Sequence, residues 1–162
     1  MKGVGDFDGD GVSDLVFQNA RSGDVYVWDV DGSKPLDGWN SVKDAGYVGR
    51  SPGLDWQVKV VGDFNNDGKD DLLFQNAKDG SLYIWELDGV NKLVGEGYVG
   101  SVPGTAWEVK GAGDYNGDGK SDVLFQNAGT NQYYVWELNG PGPLVKGDFV
   151  GWTPPSEWHA II

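Results

Sequence analysis

The 162-residue sequence predicts an all-β chain of three tandem four-stranded units, propeller-type blades in size, each opened by an aspartate-rich metal-binding loop. Three observations lead there. One block recurs three times along the chain, and a long internal period marks a repeat architecture. The apolar residues inside each block alternate with period two, as strands do. Gly and Asn clusters interrupt the apolar runs, and no helical period of useful length is present.

Each block opens on a loop. Gly5-Asp6-Phe7-Asp8-Gly9-Asp10-Gly11, Gly62-Asp63-Phe64-Asn65-Asn66-Asp67-Gly68 and Gly113-Asp114-Tyr115-Asn116-Gly117-Asp118-Gly119 are copies of one another. Phe-Gln-Asn-Ala follows at 17–20, 74–77 and 125–128. A tryptophan comes 22 positions after each first aspartate, at Trp28, Trp85 and Trp136, and a glycine closes the segment at Gly32, Gly89 and Gly140. Tyr26-Trp28-Val30, Tyr83-Trp85-Leu87 and Tyr134-Trp136-Leu138 alternate with their neighbours and read as strands. A Tyr/Phe-Val-Gly element then appears at 47–49, 98–100 and 149–151, followed by a Pro-containing turn and Trp56, Trp107 or Trp158. The repeats are spaced by 57 and then 51 residues, and the six extra residues lie between Gly32 and Tyr47. An insertion confined there marks a loop.

These features divide the chain as one array, with repeats at about 1–55, 56–106 and 107–157 and a segment, 158–162, that completes the strand begun at 1–6. Trp158 to Ile162 matches Trp107 to Gly111, and Met1 to Gly3 matches Val109 to Gly111. The strand before the first loop is thus split between the two chain ends. Half-strands leave unsatisfied edges unless they pair. Association into a homo-oligomer through the chain ends is therefore expected.

Within each loop, oxygen-bearing side chains fall at relative positions one, three, five and nine. They are Asp6, Asp8, Asp10 and Asp14, then Asp63, Asn65, Asp67 and Asp71, then Asp114, Asn116, Asp118 and Asp122. Hard cations such as Ca²⁺ take six to eight oxygens and tolerate irregular geometry. Alternate side chains in a tight turn converge on one point. The glycine at position six (Gly11, Gly68, Gly119) permits the reversal. Position seven (Val12, Lys69, Lys120) would offer a backbone carbonyl, which leaves its side chain free to vary. An EF-hand needs a glutamate at position twelve and flanking helices. Here position twelve is Phe17, Phe74 or Phe125, and both flanks read as strands. Three copies of the pattern weigh against metal-free Asp/Asn/Gly turns, because carboxylates this close repel without a cation. Three Ca²⁺ ions per chain are expected. Asp70 occupies a non-ligand position, so its loss should matter less than that of Asp67.

Composition narrows the function. Asp+Glu 25 against Lys+Arg 12 gives a formal charge of −13, so nucleic acid is excluded as a partner. There is no Cys and a single His, His159, which removes disulfides, thiolate chemistry and a Cys/His zinc site. No apolar run reaches the ~20 residues of a membrane helix. Nor is there a signal-peptide pattern.

The sequence Gly-Asp-Phe-Asn-x-Asp-Gly-Lys-x-Asp-Leu/Val-Leu-Phe, followed by x-Tyr-x-Trp-Glu-Leu-x-Gly, resembles the FG-GAP/VCBS-type repeat, the family of calcium-bearing blades in integrin α-subunit propellers and many secreted bacterial proteins. The resemblance covers nearly the whole chain. It implies propeller blades with Ca²⁺ between the first two strands of each, held by the twelve side chains named above. Family propellers close with about seven blades, a number three repeats do not reach. By strand count alone, a β-trefoil-like pseudo-threefold domain is the alternative.

As to function, a calcium-stabilised binding or adhesion module is expected, with a glycan or cell-surface ligand. Loops of millimolar calcium affinity suit an extracellular, secreted setting. Aromatic residues with Gln and Asn are what sugar sites use. Trp39 and Trp152 break the repeat and are the candidate ligand-binding residues, whereas the repeated tryptophans are expected to pack between blades. The Gln-Asn pairs are expected to shape hairpin turns. A structural scaffold that assembles head to tail, with no small-molecule ligand, is the competing reading. No Ser/His/Asp set, phosphate loop or zinc motif supports an enzyme.

Overall fold

The computed structural model describes residues 1–153, apart from the side chain of Trp39. The expected closing segment 158–162, with Trp158 and His159, lies outside the described residues. Each repeat forms its own antiparallel sheet. The first contains β1 (Gly3–Gly5), β2 (Asp14–Gln18), β3 (Asp24–Val30) and β4 (Val42–Arg50). The second contains β5 (Trp56–Gly62), β6 (Asp71–Asn76), β7 (Ser81–Leu87) and β8 (Leu93–Ser101). The third contains β9 (Trp107–Gly113), β10 (Asp122–Asn127), β11 (Gln132–Glu137) and β12 (Lys146–Trp152). Every sheet runs in sequence order, as a meander. Among the described residues no ladder joins strands of two repeats, so the trefoil alternative, which shares strands of all repeats in one barrel, does not describe this chain.

The local chemistry explains the elements. Val, Leu, Phe, Tyr and Trp fill the strands and favour a pleated, half-buried surface. The β2–β3 turn is closed by Asn19, whose Oδ1 accepts from the N–H groups of Arg21 and Ser22 at 2.9 and 3.3 Å. Asn127 serves the β10–β11 turn in the same way. The six-residue insertion holds a short 3-10 turn at Trp39–Ser41. No helix among the described residues is long and apolar enough to cross a membrane.

The sheets pack face to face in chain order, and two apolar cores result. The first joins Val16, Val25, Val27 and Val48 of sheet one to Leu72, Phe74, Trp85 and Leu87 of sheet two. The second joins Leu73, Leu82, Ile84 and Val99 of sheet two to Val123, Phe125, Trp136 and Leu138 of sheet three. Full burial of each such side chain contributes about 1.5–3 kcal/mol. The middle sheet is covered on both sides, which is why β6 presents the unbroken run Leu72-Leu73-Phe74. Trp85 and Trp136 lie in these cores, as repeated tryptophans should, while Trp28 is half-buried on the outer side of sheet one.

The Gln residues have a role that local sequence does not suggest. The Gln18 side-chain amide donates to the carbonyl of Trp56 at 2.8 Å, and its oxygen accepts from the Val58 N–H at 3.1 Å. Gln75 donates to the Trp107 carbonyl at 3.0 Å. Each therefore ties its own sheet to the first strand of the next.

Candidate metal centre

The loops between β1 and β2, β5 and β6, and β9 and β10 share one hydrogen-bond scheme. In the first, Asp6 Oδ1 accepts from the N–H groups of Gly9 and Asp10 at 2.7 and 3.1 Å, and its Oδ2 accepts from Gly11 at 2.8 Å. Asp63 does the same with Asn66, Asp67 and Gly68, and Asp114 with Gly117, Asp118 and Gly119. Asp8, Asn65 and Asn116 each accept from the N–H two residues on, and so do Asp10, Asp67 and Asp118. The reversal uses left-handed backbone twice per loop. Position six is Gly11, Gly68 or Gly119, with φ of 83°, 84° and 87°. Position four is Gly9, Asn66 or Gly117, and Asn66 reaches φ 62°.

Position nine is buried. Asp14, Asp71 and Asp122 begin the second strands and are fully inaccessible. Each carboxylate bridges two backbone amides from different segments. Asp14 accepts from Phe7 and Val30 at 3.1 and 2.9 Å, Asp71 from Phe64 and Leu87 at 3.0 Å each, and Asp122 from Tyr115 and Leu138 at 3.1 Å each. This clamp pins the loop to the end of the third strand. Val12, Lys69 and Lys120, at position seven, donate their N–H groups to Asp10, Asp67 and Asp118. The Lys69 ammonium pairs with Asp88, and that of Lys120 with Asn139, so neither side chain competes for the loop oxygens.

The fit to a cation is clearest in the first loop. One oxygen each from Asp6, Asp8 and Asp14 can be chosen so that all lie within 4.8 Å of one another. Ligands around a Ca²⁺ ion at ~2.4 Å stand no farther apart than about twice that distance. The donor set is all oxygen, which suits a hard cation. The residues present therefore fit a divalent ion.

Sequence reasoning missed a second acidic group beside it. Asp8, Asp10 and Asp29 also bring oxygens within 4.8 Å. The Lys43 ammonium bridges them, 2.7 Å from Asp8, 3.4 Å from Asp10 and 3.2 Å from Asp29. Asp29 is 3% exposed, and its Oδ1 has no hydrogen-bond partner. An acid after each repeated tryptophan (Asp29, Glu86, Glu137) was the available signal. Lys43 stands as a built-in counter-ion for this corner of the loop. Its hydrogen bond holds the Asp8 carboxyl below the usual range, while burial pushes Asp29 up.

Asp70 is not idle at its non-ligand position. Its Oδ2 accepts from the Asp6 N–H at 2.8 Å, and its own N–H donates to the Asp6 carbonyl at 2.7 Å. It thus couples loop one to loop two. This revises the expectation that its loss is mild. In chelator, Asp70→Ala should destabilise by about 1–3 kcal/mol, by stranding a part-buried N–H. Asp67→Ala should show its main cost only with the cation present. Melts of both variants in EDTA and in excess Ca²⁺ check this, and equal behaviour of the two in both buffers would refute it.

The buried carboxyls also set a pH dependence. Burial pushes Asp14 up to about 6 and Asp71 up to about 7, against an ordinary 3.8, with their two backbone N–H partners opposing the shift. Burial raises Asp122 in the same direction. A raised pKa means the folded state binds protons that the unfolded state releases. The stability from these groups is therefore complete below about 3.8 and is lost as pH rises through about 6 to 7. Cation-free protein should melt higher at pH 5 than at pH 8. A flat or reversed trend in EDTA would contradict the assignment.

The two candidate ligand-binding tryptophans belong to different repeats. Trp39 starts the turn in the first repeat, and Trp152 ends β12, 66% exposed, with the second sheet lying between their repeats. Three other aromatics share one position on the last strands: Tyr47, Tyr98 and Phe149, which are 45%, 53% and 51% exposed.

Residues 63–125 match the family model of the FG-GAP-like repeat. The matched span runs from the first position of the second loop, through the third loop, to Phe125. No curated protein and no solved structure matches the chain.

Proposed function

We propose that this FG-GAP-type repeat array is a calcium-stabilised binding module of propeller-type blades, working in an extracellular, calcium-rich setting. The observation that carries the reading is the loop scheme, repeated three times with the same acceptors and the same buried clamp. Asp6, Asp8, Asp10 and Asp14 would hold the ion in the first repeat, with Asp63, Asn65, Asp67 and Asp71 in the second and Asp114, Asn116, Asp118 and Asp122 in the third. Bound Ca²⁺ would supply charge neutralisation and cross-link each loop to the strand that follows it. The protein's own groups do the rest: backbone amides orient the carboxylates, and the position-nine aspartate locks the loop to the sheet. Metal analysis after dialysis against Ca²⁺ tests this, with three ions per chain expected; absence of binding would overturn it.

The ligand class we propose is carbohydrate. Tyr47, Tyr98 and Phe149 support it, because half-exposed rings offer faces on which sugar rings stack. A glycan panel with the parent chain and Tyr98→Ala is the test. Binding that Tyr98→Ala leaves unchanged would remove this surface from the proposal.

A further inference from the structure

We propose that the outer face of the third sheet binds the outer face of the first sheet of a second copy of this chain, repeating between molecules the joint that already links sheet to sheet within one.

The internal joint has defined parts. The trailing loop gives two backbone acceptors: the Asp6 carbonyl takes the Asp70 N–H at 2.7 Å, and the Phe7 carbonyl takes the Gly89 N–H at 2.8 Å. At the next joint, the Asp63 carbonyl takes the Ser121 N–H at 2.7 Å and the Phe64 carbonyl takes the Gly140 N–H at 2.9 Å. Glycines on the trailing sheet receive side chains of the leading one. A Cβ on Gly5 would stand 2.5 Å from Val61, and one on Gly62 would meet Ser121 and Ala112. A Cβ on Gly49 or Gly100 would press on the ring of Trp85 or Trp136, at 3.1 and 3.0 Å.

The third sheet keeps the same parts, and among the described residues no fourth sheet lies against them. Gly113 and Gly151 occupy the corresponding positions. Among the described residues, a Cβ on Gly151 would meet nothing within 4 Å, and one on Gly113 would meet only Tyr115 of its own loop. Glycine inside a strand is costly unless something approaches closely. Phe7 and Phe64 are 0% exposed, but their counterpart Tyr115 is 49% exposed; Val48 and Val99 are 8% and 2%, but Val150 is 62%. The leading side of sheet one is complementary. Val4, counterpart of Val61 and Ala112, is 49% exposed. Leu15, Phe17 and Val30 are half-buried, where the corresponding Leu72, Phe74 and Leu87 are fully buried. With Leu36 as a rim, Leu15, Trp28 and Val30 line a groove of about 380 Å³. Ser13 and Gly32 carry the N–H groups that correspond to those of Asp70 and Gly89.

The rim differs. Asp148 replaces the glycines at 46 and 97, and the insertion beginning at Ser33 and Lys34 replaces the backbone that packs on them. Because the two faces differ, the contact is heterologous, and two copies close it with two equal joints and six sheets, within the four to eight of known rings. The inference stands on sheet packing and does not depend on calcium.

Sedimentation equilibrium of the 162-residue chain is the experiment, with two one-sided variants. Val4→Glu blocks the leading face, and Gly151→Leu fills the open position on the trailing face. The parent should give twice its 17.5 kDa mass. Each variant's own dimer contains a substituted face in both joints, so each variant alone should associate at least about a hundredfold more weakly, tenfold or ~1.4 kcal/mol at each joint. An equimolar mixture of the two should associate more tightly than either variant alone, since both substituted faces fall in one joint, which has nothing further to lose, and the other joint is intact. A monomeric parent, variants that dimerise like the parent, or a mixture that associates no more tightly than either variant would each overturn the proposal. As a check independent of variant stability, the chain has no cysteine of its own. Val4→Cys mixed with Gly113→Cys should form a disulfide-linked pair on mild oxidation, and failure to link also counts against the joint.

Discussion

Chelation should lower the melting temperature of this protein by roughly 20 °C. Each ion bound only by the folded state adds RT ln(1 + [L]/Kd), about 2.7 kcal/mol at a hundredfold excess over Kd. Three sites give about 8 kcal/mol, and a chain of this size moves its melting temperature by ~2–4 °C per kcal/mol. Removing the ions would also leave the acids of the first loop to repel one another, offset in part by the Lys43 ammonium. Calorimetry in Ca²⁺ and in EDTA measures the difference. A melting temperature that EDTA leaves in place would show that the loops are held by their hydrogen bonds alone.

The largest effect of one substitution is expected at Asp71. Asp71→Ala strands the N–H groups of Phe64 and Leu87, both buried. Each unpaired buried amide costs about 1–3 kcal/mol, and relief of the buried carboxylate offsets part of that, leaving a loss of about 2–4 kcal/mol. The loss should persist in EDTA, because the clamp works without an ion. It should also exceed that of Asp67→Ala there, since Asp67 accepts only in exposed hydrogen bonds, from the Lys69 amide and the Asn65 side-chain amide. Denaturant melts of both variants in EDTA decide the matter. Equal losses would mean that the position-nine aspartate serves the ion and not the fold.

The four-stranded repeat and its loops were legible in the sequence because they are local. Alternation places Tyr83, Trp85 and Leu87 on one side of a strand, and the spacing of Asp, Asn and Gly in each loop makes its own turn from contacts within six residues. Asp29 and Lys43 were not legible. They reach the first loop from β3 and β4, and only the pairing of those strands brings them to Asp8 and Asp10. The Asp70 contact was not legible for the same reason: its partner, Asp6, is 64 residues away.

By itself the sequence determined which segments form strands, where the three acidic loops lie, and that three equivalent units follow one another. It could not distinguish the repeats by their surroundings. Phe7, Phe64 and Tyr115 hold equivalent positions, yet two are sealed and one is half-exposed. Local pattern reports which side of a strand is apolar, whereas burial depends on whether another sheet lies against that side. Only the tertiary structure decided that Leu72 and Leu73 are both covered while Val150 is open, and that Gln18 and Gln75 fasten one sheet to the next.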